Sequence, residues 1–389
     1  MIAKRLEGIS EYYFSQKLRE IETLNKQGKD ILNLGIGSPD LPPHPDVIKE
    51  LQDQAANPNI HGYQGYKGIP ALRQAFAEWY SRWYRVDLNP DTEILPLMGS
   101  KEGIMHVCMT YLNDGDEALI PNPGYPTYAS AVKLAGGIAI NYDLTPENNW
   151  QPNLDALSEQ DLSKVKLMFI NYPHMPTGQP ADRHFLPKVI EFARTHRILL
   201  VHDNPYSFIL TDSPLSLLEY PGSREVVIEL NSLSKSHNMA GWRIGMLAAA
   251  PERIEEVLRF KSNMDSGMFM PLQLAAVKAL NLDTEWYAGI NRIYSERRSR
   301  VFEILDMLNC SYDKDQVGMF VWAEIPEHYS NGYALSDEIL YGANVFLTPG
   351  GIFGTRGDRY IRISLCGDLS RFDKAKARIA QLKNKADND

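Results

Sequence analysis

Cysteine is scarce in this sequence: three among 389 residues, Cys108, Cys310 and Cys366. That number and their wide spacing exclude a disulfide framework. No CxxC or HExxH pattern occurs, so none of the nine histidines falls into a legible metal site, and no metal is expected. Basic residues are outnumbered, 40 Lys and Arg against 49 Asp and Glu, for a net charge of −9. A nucleic-acid binder is more often basic, so a polyanionic partner is not expected. No apolar stretch reaches the ~20 residues of a membrane helix. The start, MIAKRLEGISEYYF, lacks the apolar segment of a secretory signal. These absences lead us to expect a cytoplasmic protein with small-molecule partners and no membrane contact.

What is present is ordinary globular composition, 44% hydrophobic and 23% charged, in a chain long enough for two domains. SEYYFSQKLREIETLNKQGKD reads as an amphipathic helix stopping near Gly28, followed by a Gly/Pro-rich loop, LGIGSPDLPPHPDV. From about residue 93 strand-like and helix-like runs alternate: EILPLM, SKEGIMHVCMTYL, EALIP, PTYASAVKLAG, KVKLMFIN, ADRHFLPKVIEFARTH, ILLVHD, EVVIEL and RIGMLAAA. Such alternation predicts an α/β fold with a mostly parallel sheet between helices. After about residue 280 a long helix leads to short strands, MFVWAEI and YIRISL, with helices between and after, which reads as a smaller α+β unit. We expect an N-terminal helix and segment over 1–40 joining the small domain, a large domain over 41–282 and a small one over 283–389. The tail KNKADND reads as disordered.

Ligands of parallel sheets sit beyond the carboxyl ends of the strands. EILPLM delivers Gly99, Ser100 and Lys101 there, KVKLMFIN delivers Asn171, ILLVHD delivers Asp203, and EVVIEL delivers Ser232 to Lys235. Taken singly, each has a plain structural reading. Ser100 can cap a helix or help hold an anion. Asp203 can cap a helix, bind a metal or face a cation. Arg362 on a strand can serve a salt bridge or hold a carboxylate in a bidentate fork. Together, a phosphate cradle, a lone lysine (Lys235), a strand-end carboxylate, an aromatic ring and an arginine fork are the set that pyridoxal 5′-phosphate requires.

The motifs LGIGSPD, GYQGYKGIPALR, GSKEG, PGYPTY, NYPHMPTG, DNPY, SLSKSHNMAGWRIG and RISL, in this order, resemble those of fold-type I, class I/II PLP-dependent aminotransferases over nearly the whole chain. GSKEG, NMAGWRIG and KSNMDSG further resemble the branch of LL-diaminopimelate aminotransferases and related alanine or aspartate aminotransferases. The resemblance implies that Lys235 holds the cofactor aldehyde as a Schiff base and shuttles a proton. It implies that Asp203 pairs with the pyridinium nitrogen, Tyr206 donates to O3′ and Tyr125 stacks on the ring. Ser100, the Lys101 backbone, Ser232 and Arg243 would hold the phosphate, with Tyr63 reaching it from the other subunit of a homodimer. Arg362 and the backbone at Gly37 would hold the substrate carboxylate. Glutamate and 2-oxoglutarate are expected as one substrate pair.

One departure stands out: HMPTG replaces the family's NNPTG, so Met175 stands where an asparagine amide donates to O3′. A thioether cannot donate, and a higher cofactor imine pKa is expected. His174 is a poorer candidate for the missing donor. Lys261 and Asn263 resemble a stretch lining the distal substrate pocket, although Lys261 reads better as a solvated helix residue. The alternatives are a lyase of the same fold acting on a β- or γ-substituted amino acid, and a non-catalytic cofactor-binding protein. Regulators of this fold carry an added DNA-binding domain, for which the acidic charge and the short segment before LGIGSPD leave little case.

Overall fold

A computed structural model describes the chain except residues 1, 8, 10, 12 and 387–389. Twelve strands occur in it: β1 (Leu32–Asn33), β2 (Ile94–Leu97), β3 (Glu117–Asn122), β4 (Ile138–Asp143), β5 (Val165–Ile170), β6 (Leu199–Asp203), β7 (Val227–Ser232), β8 (Gly245–Ala248), β9 (Phe320–Glu324), β10 (Val345–Phe346), β11 (Thr348–Pro349) and β12 (Tyr360–Ser364). A seven-stranded sheet has the order β2-β8-β7-β6-β5-β3-β4. β8 runs antiparallel to both its neighbours; the other pairings are parallel.

The inner strands are continuous apolar runs because helices cover both faces. Phe169, Val201, Ile228 and Leu247 pack with the helix Ser100–Tyr111 on one side. Met168, Leu200 and Met246 pack with the helices Pro70–Tyr84 and Met270–Leu280 on the other. On that second side a buried polar network ties two strands, β6 and β7, to a helix. His202 and Glu229 approach to 2.8 Å, and the Tyr80 hydroxyl donates to the same glutamate at 2.8 Å. Leaving one buried polar group of such a network without its partner costs about 1–3 kcal/mol.

A three-stranded antiparallel sheet, β11-β12-β9, lies in the C-terminal part, where the helices Thr284–Met307 and Leu369–Ala386 pack on one core. The N-terminal segment joins it, with β1 pairing β10 in parallel. The first helix runs from Tyr13 to Lys26, and Gly28 at φ +82° ends that turn. Ser10 and Tyr12 of the expected helix lie outside the described residues. Three details differ from expectation. The loop after β1 ends at His44, since Pro45 starts a helix to Ala55, a favoured place for proline. The run IAINYD forms an edge strand, β4, that expectation passed over; its side chains are half exposed, with Tyr142 buried in the core. Residues 383–386 of the tail belong to the last helix, and 387–389 lie outside the described residues. Among the described residues no helix is long and apolar enough to cross a membrane.

Candidate active site

β2, β3, β5, β6 and β7 all end on one rim of the large sheet. A cavity of about 500 Å³ lies there, closed on the far side by β12, the segment 36–38 and the first helix. Ser100, Lys101, Tyr125, Met175, Asp203 and Tyr206 line it, as do Ser232, Lys235, Arg243, Gly37 and Arg362.

Asp203 is the last residue of β6 and is 5% exposed. Its Oδ2 accepts from the Tyr128 hydroxyl at 2.9 Å, while Oδ1 is buried with no hydrogen-bond partner among the described residues. Burial pushes the carboxyl up to about 6 against the pull of that hydroxyl and of His202. Asn171, at the end of β5, donates to the Asp203 carbonyl at 2.5 Å and accepts from the Met175 N–H at 2.8 Å. Tyr125 stands edge-on to Tyr128, ring centroids 5.6 Å apart.

Lys235 lies in the one-turn helix Leu233–Ser236, which Ser232 caps by accepting from the Ser234 N–H at 3.1 Å. Its ammonium donates to the Gly37 carbonyl at 2.6 Å. Burial brings the Lys235 pKa down to about 8, with the Arg362 and Arg243 charges acting in the same direction. A Cβ on Gly37 would fall 2.2 Å from the Phe320 ring, so only glycine lets this backbone reach the lysine. The segment is anchored next door by Asp40, which pairs with the buried Arg297 guanidinium at 2.7 Å.

At the other end, Gly99 (φ +89°) leads into the helix Ser100–Tyr111, whose first N–H groups lack partners within the helix. A Cβ on Gly99 would lie 2.2 Å from Nη2 of Arg243, so the guanidinium occupies the space that glycine leaves. Arg243 itself holds a left-handed conformation (φ +56°) and donates to the Ala240 carbonyl at 2.8 Å. Two hydroxyls, Ser100 and Ser232, line the same end.

Arg362 is 4% exposed on β12. It donates to the Gly35 carbonyl at 2.9 Å and lies 3.3 Å from the Met175 sulfur. The Phe320 and Phe353 rings lie 3.8 and 4.6 Å from its guanidinium carbon, and Phe14 lies at 5.6 Å. Such faces stabilise a cation while excluding water.

Three residues singled out in the sequence lie elsewhere. Tyr63 is 94% exposed on a surface loop and outside the cavity. His174 turns away, its Nδ1 at 2.8 Å from the Thr177 hydroxyl, and burial pushes its pKa down to about 3. Lys261 is buried rather than solvated: its ammonium bridges to Asp265 at 2.8 Å, beside Glu102 and His106. Conversely, sequence reasoning missed Phe14, Leu18, Ile36, Phe320 and Phe353 as lining residues. The i, i+4 spacing of Phe14 and Leu18 signalled a shared helix face but not what it covers.

Pyridoxal phosphate fits this donor set. The orphaned Oδ1 of Asp203 is an acceptor awaiting a ring N–H⁺, and the cleft at Gly99 gathers N–H groups, hydroxyls and Arg243 for a phosphate. The sequence model of the aminotransferase class I and II family matches residues 29–379. The LL-diaminopimelate aminotransferase of Dehalococcoides mccartyi (strain BAV1) is 42% identical over 384 residues, covering 98% of this chain and 99% of the relative. The enzyme of the same name from Moorella thermoacetica is 40% identical, covering 99% of both. Substrate-bound BacF from Bacillus subtilis superposes with a TM-score of 0.93 at 37% identity, covering 98% of each chain.

Proposed function

The chain belongs to the aminotransferase class I and II family and is a pyridoxal-phosphate-dependent enzyme moving an amino group between an L-amino acid and a 2-oxo acid; from that premise we propose how its residues divide the work. Bound pyridoxal phosphate supplies an aldehyde that accepts the amino group and a protonated ring that draws electrons from the substrate Cα. Lys235 holds the aldehyde between turnovers and, once displaced, carries the proton from Cα. An amine with a pKa near 8 is partly neutral at working pH and can act as that base. Asp203 keeps the ring nitrogen protonated, and Tyr128 holds its second oxygen. Tyr206 donates to the ring hydroxyl, and Tyr125 covers the ring face.

Ser100, the Lys101 N–H, Ser232 and Arg243 hold the phosphate. Arg362 takes the substrate carboxylate, exchanging its bond to the Gly35 carbonyl for a charge-assisted pair. Met175 stands at the ring hydroxyl without a proton to give. Glutamate and 2-oxoglutarate form one substrate pair. The observation carrying this reading is the placement of the Lys235 amine, held by the Gly37 carbonyl, and the incompletely bonded Asp203 carboxylate in a single cavity.

The same proposal makes the protein a cytoplasmic homodimer, with Tyr63 reaching the partner's phosphate site. Tyr63, Tyr66, Met264 and Phe269 are exposed on adjoining loops, a natural surface for a second copy. The three cysteines are buried and unpaired, as a reducing compartment leaves them. The same reading divides the chain into an N-terminal segment (1–40) joining a small domain (283–389) and a large domain (41–282), in keeping with the pairing of β1 and β10.

The test is an absorbance spectrum of the cofactor-loaded protein before and after L-glutamate, with no oxo acid added. Conversion of the aldehyde form to the amine form supports the reading. Glutamate consumption with no amine form, at any donor concentration, refutes it.

A further inference from the structure

Outside the cavity, three side chains with ligand atoms converge on the helix that holds the phosphate. Glu102 and His106 stand four residues apart on Ser100–Tyr111 and so share a face. Asp265 reaches them from the turn that follows the helix Pro251–Lys261. One ligand atom of each lies within 4.8 Å of the other two, and none of the three residues lines the cofactor cavity. The group is enclosed within one protomer: the side chains of His106, Asp265 and Glu102 are 0%, 7% and 21% exposed.

The bonding capacity of these atoms is largely unused. Neither ring nitrogen of the buried His106 has a hydrogen-bond partner among the described residues, and the ring is fixed edge-on to Phe260 at 5.3 Å. Its Nε2 lies 3.9 Å from Oε1 of Glu102, beyond hydrogen-bond reach. Glu102 spends its other oxygen on the Met98 N–H at 2.9 Å. Oδ1 of Asp265 accepts from the Lys261 ammonium and from the Gly267 N–H, both at 2.9 Å. Oδ2 lies 2.8 Å from the same ammonium but has no hydrogen bond of good geometry. A buried imidazole bonding nothing through either nitrogen is costly as a purely structural residue, whereas its lone pair is a ready metal ligand.

The donor set selects the ion. One imidazole with two carboxylates suits Zn²⁺, while Ca²⁺ and Mg²⁺ prefer oxygen ligands alone. Around such an ion ligand atoms stand roughly 3.4 Å apart, so side-chain shifts of about 1 Å close the group. Lys261 is the rival. Within the group two carboxylates face its one ammonium, which leaves negative charge for a second cation but obliges that cation to share Asp265.

We propose that Glu102, His106 and Asp265 form a zinc site in which the ion competes with Lys261 for Asp265. The bound ion ties the first turns of the phosphate-holding helix to the turn after Lys261. This goes beyond the aminotransferase reading and does not depend on it.

The test uses the holoenzyme, stripped with a chelator and titrated with zinc chloride by calorimetry. Crystals of the same protein, soaked in zinc, are measured at the zinc absorption edge. We expect an anomalous peak between His106 and Glu102, a result that needs no variant to fold. Glu102→Gln and His106→Gln should each weaken the site by about tenfold or more. Lys261→Met, which removes the competing ammonium, should tighten it by about tenfold. No zinc uptake by the unmutated holoenzyme overturns the proposal, as does a peak found only elsewhere or an affinity unmoved in His106→Gln. Zinc bound by Lys261→Met alone overturns it too, since the ammonium then holds the place.

Discussion

Tyr128 holds Oδ2 of Asp203 at 2.9 Å while Oδ1 is buried with no hydrogen-bond partner among the described residues, so one carboxylate is satisfied by the protein on one side only. Its cost falls on the fold. With the carboxyl raised from 3.8 to about 6, the protonated form suits the folded chain better. The cofactor-free protein therefore enjoys that contribution fully below the unfolded pKa and loses it as pH rises through about 6.

Asp203→Asn should consequently raise the thermal stability of the cofactor-free protein at pH 8, by about 2–3 kcal/mol at most. The same change should lower kcat/KM by about 10²–10³-fold, because a neutral amide cannot hold the ring-nitrogen proton. Calorimetric melting and steady-state assays check the two halves; a loss of stability at pH 8 would contradict the account.

Tyr128→Phe removes the hydroxyl that lowers the Asp203 pKa. The pH at which cofactor affinity is half lost on acidification should move upward, above about 6. Equilibrium titration of cofactor between pH 5 and 8 measures it, and an unmoved midpoint argues against Asp203 as the controlling group.

The Lys235 amine must be neutral to capture an aldehyde. Capture, trapped by borohydride and read by mass spectrometry, should accelerate with pH and level off near 8 rather than 10.5. Lys235→Arg should trap nothing.

Met175→Asn adds an amide donor beside the ring hydroxyl and takes a sulfur from its 3.3 Å contact with Arg362. The visible band of the bound cofactor should then titrate about one pH unit lower. A midpoint equal to that of the parent would remove Met175 from any role in tuning the cofactor.

Gly99→Ala places a methyl where Nη2 of Arg243 lies, on a backbone at φ +89°. Cofactor affinity should weaken by about a hundredfold or more, and the cofactor-free protein should itself lose about 1–3 kcal/mol of stability in a calorimetric melt. Separately, mixing inactive Lys235→Ala with Tyr63→Ala should restore up to about a quarter of full activity. Half of randomly formed dimers are hybrids, and each hybrid holds one intact site of two. No restoration would place Tyr63 outside the partner's site.

The rim was legible in the sequence because apolar runs such as ILLVHD and EVVIEL end abruptly in polar residues, and a parallel sheet puts such ends together. β4 was not: its isoleucines sit part-exposed at the sheet edge, so the run IAINYD shows neither a clean alternation nor a buried apolar stretch. β8 was legible as a strand, but its antiparallel direction depends on how the chain returns to the sheet. The pair of Asp40 with Arg297 spans 257 residues of sequence and has no local signature. Lys261 reads as a surface residue by type, yet Asp265, four residues on and just past the helix end, allows it to be buried. The face of the first helix was visible as a stripe, whereas its neighbour was set by contacts with Tyr333 and Tyr341, some 300 residues away.

Phe14 and Leu18 stand on a helix tethered to the C-terminal part, apart from the strand ends that gather Asp203 and Lys235. The cavity is thereby walled by two separately folded stretches of chain, so a change that loosens the seat of the first helix on Tyr333 and Tyr341 shifts one wall while every strand end stays in place.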